Sequence, residues 1–265
     1  MRLCSIASGS SGNCIYVGSD TTHLLVDVGI SGKRIEEGLN RLGLCGRDVN
    51  GILITHEHSD HIGGLNVIAR KLNIPIYATT GTIKAILHSK YADKVDTGLF
   101  QEIRADDKFL LGDITVNAIR TSHDAAEPVA YRFRHEDKKI GVITDLGTYN
   151  DYTVENMKGM DAILLEANHD VRMLQVGPYP YYLKQRILGD HGHLSNETSG
   201  RFLSRLLQDN MQHIVLGHLS QENNLAELAY ETVRLEIENS DNAYHADDFH
   251  LHVAKRCEVS DIITI

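Results

Sequence analysis

The segment THEHSDH at residues 55–61 directly follows the apolar run Gly-Ile-Leu-Ile at residues 51–54. The run has the length and composition of a buried β-strand, so the polar segment lies at a strand end. It places three histidines and two acids within seven residues, more than a solvated turn needs. Imidazole and carboxylate groups are common ligands of divalent metal ions. The segment therefore predicts a metal site built at the end of a strand.

The spacing within this segment separates its ligand candidates into two pairs. His56 and His58 leave the strand with one residue between them, so both side chains can turn toward one point. Asp60 and His61 lie further along, where the next helix begins, and can face a second point. A site with one metal ion needs three or four ligands and a site with two needs more, so further ligands must come from elsewhere.

Further ligand candidates stand just beyond three other apolar runs, at His123, Asp145 and His218. Taken alone, each has an ordinary interpretation: a hydrogen-bonded loop histidine, a turn or cap residue, and a histidine at the start of a helix. Strand ends that meet at one edge of a sheet are a common place for a site. Taken together with residues 55–61, the three residues predict one shared metal site.

The chain contains two successive sets of strands and helices, which predict an α/β fold. The first set comprises strand-like residues 2–7, 13–18, 23–28 and 51–55 and helix-like residues 31–43 and 61–72. The second comprises strand-like residues 108–120, 129–135, 139–144, 161–166 and 213–217 and helix-like residues 150–158, 195–209 and 223–238. We expect two packed β-sheets flanked by helices. No low-complexity linker divides the chain, so residues 1–265 are expected to form a single domain.

Composition narrows the class of protein. A hydrophobic content of 42% and a charged content of 23% are ordinary for a soluble globular protein. No apolar run reaches the roughly 18–20 residues of a membrane helix, and Ser and Gly interrupt the N-terminal segment too early for a signal peptide. A cytoplasmic protein is expected. The net charge of −10 argues against a broad basic surface for nucleic acid, although bound metal ions would supply local positive charge.

The cysteines predict neither a disulfide framework nor a thiolate zinc site, because no two of them form a CxxC pair. Buried free thiols are the simpler interpretation, and a contact between Cys4 and Cys14 on neighbouring strands stays open. The four cysteines are Cys4, Cys14, Cys45 and Cys257.

Three polar residues at other strand ends are candidates for supporting the metal ligands. Glu166 and His169, in LLEANHD, follow an apolar strand and could hold ligand histidines in the required tautomer. His169 could instead contact the substrate. Asp27 ends an earlier strand and is expected to support the ligands or to have a structural role.

Residues 178–186, PYPYYLKQR, combine three tyrosines with Lys184 and Arg186. Aromatic rings suit stacking on bases and the cations suit binding of phosphates, while a packed surface loop explains the composition equally well. The segment SGSSGN at residues 8–13 resembles a phosphate-binding loop but lacks its Gly-Lys-Ser/Thr ending. A hairpin turn is the favoured interpretation there.

The order HxHxDH, His123, Asp145 and His218 resembles that of the metallo-β-lactamase-fold hydrolases, over essentially the whole chain. Asp27 in LLVDVG matches the early aspartate of that fold. The stretches SIASGSSGNC, VDVGISGKRIEEGL, LLEANHD, GPYPYYLKQRILGDHGHLSN and LGHLSQENN are similar to the WalJ (YycJ/VicX) family. The resemblance implies the αββα four-layer sandwich of two mixed sheets, with its site at one edge of the two sheets.

The resemblance also implies two divalent metal ions per chain, for which Zn, Mn and Fe are equally suitable. It assigns His56, His58 and His123 to one ion, Asp60, His61 and His218 to the second, and Asp145 to a position bridging both. Two ions about 3.5–4 Å apart can share a hydroxide that acts as the nucleophile. Asp60 is then expected to be catalytic, orienting this hydroxide or accepting its proton.

The segment GDHGHLSN supplies a candidate proton donor. His193 resembles the histidine of the His-Ser/Thr segment in tRNA-processing phosphodiesterases of this fold, which lies by the scissile phosphate and acts as an acid. The match is partial, because position 194 is Leu. His193 is expected to be catalytic and to contact the phosphate, with Ser195 and Asn196 beside the substrate. Helix capping is the competing interpretation of this segment, and Ser195 is its natural N-cap.

The predicted activity is that of a metal-dependent phosphodiesterase acting on nucleic acid. The WalJ resemblance implies a 5′-to-3′ exonuclease on double-stranded DNA that is linked to mismatch repair. The acidic net charge favours an alternative, a small-molecule hydrolase such as a thioesterase, lactonase or cyclic-phosphate diesterase. A regulatory protein associated with a cell-wall two-component system is a third hypothesis, and the complete ligand set argues against it.

Overall fold

The computed structural model describes residues 1–93 and 95–265, and the strands within these ranges form two seven-stranded sheets. The first sheet consists of β1 (Arg2–Ala7), β2 (Cys14–Gly18), β3 (His23–Val26), β4 (Gly51–Leu53), β5 (Ile76–Thr79), β6 (Phe100–Ile103) and β14 (Ile263–Thr264). The second consists of β7 (Lys108–Leu111), β8 (Ile114–Arg120), β9 (Val129–His135), β10 (Lys138–Ile143), β11 (Ala162–Glu166), β12 (His213–Gly217) and β13 (His250–Val253).

Helices connect the strands and cover the outer faces of the sheets. They are α1 (Gly32–Arg41), α2 (Ser59–Ile62), α3 (Leu65–Leu72), α4 (Thr80–Leu87), α5 (Asp151–Met157), α6 (Val171–Val176), α7 (Tyr181–Leu188), α8 (Asn196–Ser204) and α9 (Ala226–Glu238). Short 3₁₀ helices occur at Gly46–Asp48, Lys90–Ala92, Thr97–Leu99 and Ala246–Asp248. No helix in the described ranges has the length and apolar composition needed to cross a membrane.

The two sheets have the same topology. In the first, β1, β2 and β3 pair antiparallel, and β4, β5 and β6 then add in parallel. In the second, β7 to β10 pair antiparallel, and β11, β12 and β13 then add in parallel. The C-terminal strand β14 closes the first sheet by pairing antiparallel with β1. Each half of the chain therefore builds one sheet of similar design.

Three apolar clusters hold together four layers, which are the two sheets and the helices on the outer face of each. The cluster between the sheets includes Val17, Leu24 and Leu53 of the first sheet and Val116, Tyr131 and Val142 of the second. The outer clusters join the first sheet to α1 and α3, and the second sheet to α5, α8 and α9. This arrangement is the αββα sandwich, so the predicted fold class is confirmed. The expectation of a single domain over residues 1–265 stays a prediction.

Most predicted elements are present, and the differences have physical causes. The helix predicted over residues 61–72 is divided into α2 and α3 at Gly63 and Gly64. A side chain at Gly64 would place its Cβ 2.1 Å from the carbonyl oxygen of Ile30, so the backbone approaches too closely for any other residue. The helix predicted over residues 195–209 ends at Ser204, because the chain turns there and buries Leu206 and Leu207.

Candidate metal centre

The ligand candidates lie together at the edge where β4, β8, β10 and β12 end. Their possible donor atoms form groups in which all members are within 4.8 Å of one another. One group is His56, His58 and His123, and a second is Asp60, His61 and His218. Asp145 belongs to a third group with His56 and His61, and to a fourth with Glu166, His193 and His218. The structure thus brings together all seven predicted metal ligands, with Asp145 placed between the first two groups.

Three residues of the site have unusual backbone conformations. Asp27, Asp145 and His218 have φ angles of 59°, 57° and 54°, in the left-handed region that is costly for residues other than glycine. The turn after each strand is held by hydrogen bonds: the amide of Asp145 donates to Glu166 Oε2 at 3.1 Å, and that of His218 to Ser8 Oγ at 2.8 Å. Such strain persists only where the surrounding structure fixes it, and it turns these side chains toward the shared edge.

Asp27 and Thr55 orient two of the ligand histidines. Asp27 Oδ2 accepts hydrogen bonds from His61 Nδ1 at 2.7 Å and from the Thr55 hydroxyl at 2.8 Å. The Thr55 hydroxyl in turn accepts from His56 Nδ1 at 2.9 Å. The Nδ1 atom of each histidine therefore carries a proton, and Nε2 is the nitrogen that faces the centre.

Two further histidines are fixed in the same way. His123 Nδ1 donates to the carbonyl oxygen of Gly192 at 3.0 Å, and His218 Nδ1 donates to Asn13 Oδ1 at 3.3 Å. Asn13 Nδ2 also lies 3.2 Å from His61 Nε2, so one amide contacts two of the ligand histidines. Partners of this kind set the tautomer of a metal-binding histidine.

Buried acceptor atoms face one another at the centre of the site. Among the described residues, His56 Nε2 and Asp145 Oδ2 have no hydrogen-bond partner. His61 Nε2 lies 3.2 Å from Asp145 Oδ2, a contact that is favourable only with a proton or a cation on Nε2. Buried acceptors in contact repel unless a proton or a cation lies between them. The donor set therefore fits divalent metal ions, which oxygen and imidazole nitrogen bind together.

The buried charges couple metal binding at this site to the release of a proton. Burial lowers the pKa of His56 well below its usual value, and its neighbour His61 lowers it further. Burial acts to raise the pKa of Asp145, but His218, His61 and His56 hold it well below the usual value. Burial acts to lower the pKa of His61, but Asp145, Asp27 and Asp60 raise it well above, so metal binding there would release a proton.

His193 lies beside this cluster and is hydrogen-bonded to a buried carboxylate. Its Nδ1 donates to Glu166 Oε2 at 2.9 Å, and the Glu166 side chain also accepts the amides of Leu194 at 2.8 Å and Leu146 at 3.1 Å. Burial acts to lower the pKa of His193, but Glu166, Asp145 and Asp60 raise it to about 9. Glu166 thus supports the His193 ring as well as the backbone of Asp145, and leaves His193 Nε2 free.

A cleft of about 170 Å³ opens next to His193. Its lining includes Asp124, Tyr179 and Arg186. The Arg186 guanidinium pairs with Asp124 Oδ2, and Asp124 Oδ1 lies 3.4 Å from His123 Nε2. Arg186 therefore lines the cleft, and a carboxylate that the sequence interpretation omitted holds it there.

Four predicted site residues lie outside both the groups of ligand candidates and the lining of this cleft: Lys184, His169, Ser195 and Asn196. Ser195 Oγ accepts the amide of Thr198 and caps α8, and Asn196 Nδ2 donates to Asn224 Oδ1 at 2.9 Å. Lys184, on the unforeseen helix α7, donates to the carbonyl oxygen of Gln175 at 2.7 Å. His169 is buried, burial lowers its pKa to about 4, and neither ring nitrogen has a hydrogen-bond partner among the described residues.

Sequence interpretation missed Asn13, Thr55 and Asp124. Asn13 was placed in a hairpin turn, and its partners His61 and His218 lie 48 and 205 residues away along the chain. Thr55 begins the ligand segment but is not itself a ligand type. Asp124 directly follows His123, which was the one local signal available for it.

Comparisons with known proteins agree with this fold. The family model described as the beta-lactamase superfamily domain matches residues 22–219. Exodeoxyribonuclease YycJ of Bacillus anthracis is 44% identical over 241 residues, which cover 88% of both chains. Exodeoxyribonuclease WalJ of Streptococcus pneumoniae is 43% identical over 236 residues, covering 89% of this chain and 88% of the relative. The metallo-beta-lactamase fold protein YhfI of Bacillus subtilis superposes with a TM-score of 0.71 at 15% identity, covering 98% of both chains.

The fold and the donor set define a protein of the metallo-β-lactamase class, with the motif residues of a metallo-hydrolase. Within that class the chain belongs to the family of YycJ and WalJ. The family predicted from the sequence is confirmed.

The contacts of Asp27 predict how strongly the site binds metal. Asp27→Asn replaces an oxygen that accepts from His61 and Thr55 with a group that can donate, so His61 loses its fixed orientation. We expect the affinity for Zn²⁺ to fall by about 10- to 100-fold, measured by competition with a chromogenic chelator. The control is Asp137→Asn, which removes an exposed carboxylate and should leave the affinity unchanged. Equal affinity for Asp27→Asn and wild type would show that Asp27 does not orient a ligand.

Proposed function

We propose that the protein is a metal-dependent 5′-to-3′ exonuclease acting on double-stranded DNA. The observation that carries the proposal is the position of two groups of metal-ligand side chains at one sheet edge, with Asp145 between them and His193 beside them. The names of the two relatives, both exodeoxyribonucleases, support DNA as the substrate. Such an enzyme would work in the cytoplasm, and excision of a strand during mismatch repair is the step that we propose for it.

The proposal assigns roles to the seven converging side chains. His56, His58 and His123 would hold one divalent ion and Asp60, His61 and His218 a second, with Asp145 as a ligand between the two groups. Zn, Mn and Fe all suit these donors. When bound, such ions acidify a water molecule and stabilise negative charge on phosphate oxygens.

Asp60 is suited to accept the proton of the attacking water. Its side chain is 24% exposed, whereas that of Asp145 is 3% exposed, so water can reach it. Asp60 Oδ2 lies 3.4 Å from His61 Nε2 and 3.9 Å from His218 Nε2, which fixes the carboxylate at the centre of the site. A carboxylate held in this way can both orient a water molecule and remove its proton.

His193 is suited to protonate the leaving 3′ oxygen. The bond from Nδ1 to Glu166 holds the ring in one orientation and leaves Nε2 as the nitrogen available to the substrate. The ring lines the cleft that contains Arg186, which we propose contacts a phosphate of the strand being degraded. Because Ser195, Asn196 and Lys184 have partners in the local structure, they are not included among these contacts.

The direction of cleavage tests the proposal. We expect metal-loaded wild type to release nucleotides from the 5′ end of 5′-labelled duplex DNA while the 3′-labelled strand shortens progressively. Asp60→Ala should lower this rate at least about 100-fold, because it removes both a ligand and a proton acceptor. Asp137→Ala, an exposed carboxylate, is the control. Hydrolysis of esters or cyclic phosphates with no cleavage of DNA would instead support a small-molecule hydrolase.

The leaving group tests the role of His193. On duplex DNA, His193→Gln should lower the cleavage rate by about 10²- to 10⁴-fold, because the leaving 3′ oxygen needs a proton. On a p-nitrophenyl phosphodiester of thymidine the loss should be much smaller, because p-nitrophenolate leaves without protonation. His88→Gln, at an exposed histidine, should change neither rate. An equal loss on both substrates would mean that His193 acts through the structure of the site and not as an acid.

A further inference from the structure

The outer face of the second sheet is covered by helices over only part of its area. At the end nearest the metal centre, Ile119, Ala130 and Ile143 of neighbouring strands are buried in the cluster beneath the helices. At the opposite end the same face is polar and accessible. Its residues there line a concavity of about 250 Å³, which we call the basic face: Lys108, Thr115, Asn117, Arg132, Arg134 and Lys139, with Phe133 at its edge.

Strand register places four cations of the basic face side by side. Lys108 of β7 lies across from Asn117 of β8, which pairs in turn with Arg132 of β9. Arg134 of β9 pairs with Lys139 of β10. Neighbouring strands are about 4.8 Å apart, so the four cations span about 15 Å of one surface.

These four cations have no acidic partner. None of the residues that line the concavity is acidic, and no carboxylate among the described residues lies within 4.0 Å of their charged nitrogens. The carboxylate of Asp161 accepts the backbone amide of Lys139 at 2.8 Å and pairs with the side chain of Lys138, not of Lys139, at 3.7 Å. The Nε of Arg134 donates only to the carbonyl oxygen of Glu136.

This arrangement costs free energy in the isolated protein. Four like charges on one face of the sheet repel one another, and Arg132 is half-buried without a carboxylate to compensate its charge. The chain has 36 acidic residues and a net charge of −10, so acids to pair with these cations were available in number. An anion bound in the concavity would remove the repulsion and satisfy the guanidinium groups, which suit phosphate oxygens.

We propose that the basic face binds the phosphate backbone of the DNA duplex, away from the metal centre, while the end of the strand is degraded. The proposal rests on the proposed exonuclease function. Lys139 precedes Asp145 by six residues, so the basic face lies about 20 Å along the sheet from the centre. That distance corresponds to about 6 base pairs of duplex, so contact requires a longer duplex than cleavage itself does.

The salt dependence of binding tests this proposal. The triple variant Lys108→Gln, Arg134→Gln, Lys139→Gln removes three charges and spares the half-buried Arg132. Binding is measured with metal-loaded protein and a 30-base-pair DNA whose two ends are closed by hairpin loops, so that an exonuclease has no free end to degrade. We expect at least about tenfold weaker binding at 0.1 M salt, and a plot of log affinity against log salt that is shallower by about 2 to 3.

A matched control removes the same number of exposed cations from the other side of the molecule. Lys33→Gln, Arg41→Gln, Lys84→Gln lies on α1 and α4, beside the first sheet, and should keep the wild-type slope. An unchanged slope in the basic-face variant, or an equal loss in the control variant, would overturn the proposal.

The outcomes for the basic face and for the exonuclease are separable. If wild type degrades DNA and the basic-face variant binds the 30-base-pair duplex with the wild-type slope, the basic face is not a DNA site and the exonuclease stands. If wild type degrades no DNA but the slope still depends on the three cations, the exonuclease fails and the basic face stands as a binding site for duplex DNA.

Discussion

The hydrogen bonds that Asp27 makes to the loop after β4 are the contact on which the rest of the site depends. This buried carboxylate accepts from the amide of Thr55, from its hydroxyl and from His61 Nδ1, so it fixes both the path of the loop and the direction of a ligand. The backbone is equally constrained at Gly29, where a Cβ would lie 1.6 Å from the carbonyl oxygen of Asp60. Only glycine permits this approach. The close contact packs the segment that carries Asp60 and His61 against the residues that follow β3.

The two groups of ligand candidates each combine residues from both halves of the chain. The loop after β4, in the first sheet, supplies His56 and His58 to one group and Asp60 and His61 to the other. The second sheet completes them with His123 and His218. The site therefore exists only when the apolar cluster between the sheets is packed, and binding of metal would stabilise that packing in return.

The features that could be predicted from the sequence are those set by residues close together along the chain. A run of apolar residues followed by a ligand type identifies a strand end without any knowledge of pairing, and this rule located His56, His123, Asp145 and His218. The contacts that set the tautomers of the ligands join residues far apart along the chain, such as Asn13 and His218. Neither composition nor local spacing reveals such contacts. Segment 178–186 shows the same limit: its tyrosines and cations suited a loop, whereas residues 181–188 form α7 and direct Arg186 into the cleft.

The central claim is that the seven donor side chains form two metal sites. The number of metal ions that one chain binds tests this claim most directly. Native mass spectrometry of protein saturated with Zn²⁺ should resolve two ions per chain in wild type. Because each group relies on its own histidines, His58→Ala and His218→Ala should each retain one ion. Saturation of wild type at one ion per chain would contradict the account, since the two groups would then not form two separate metal sites.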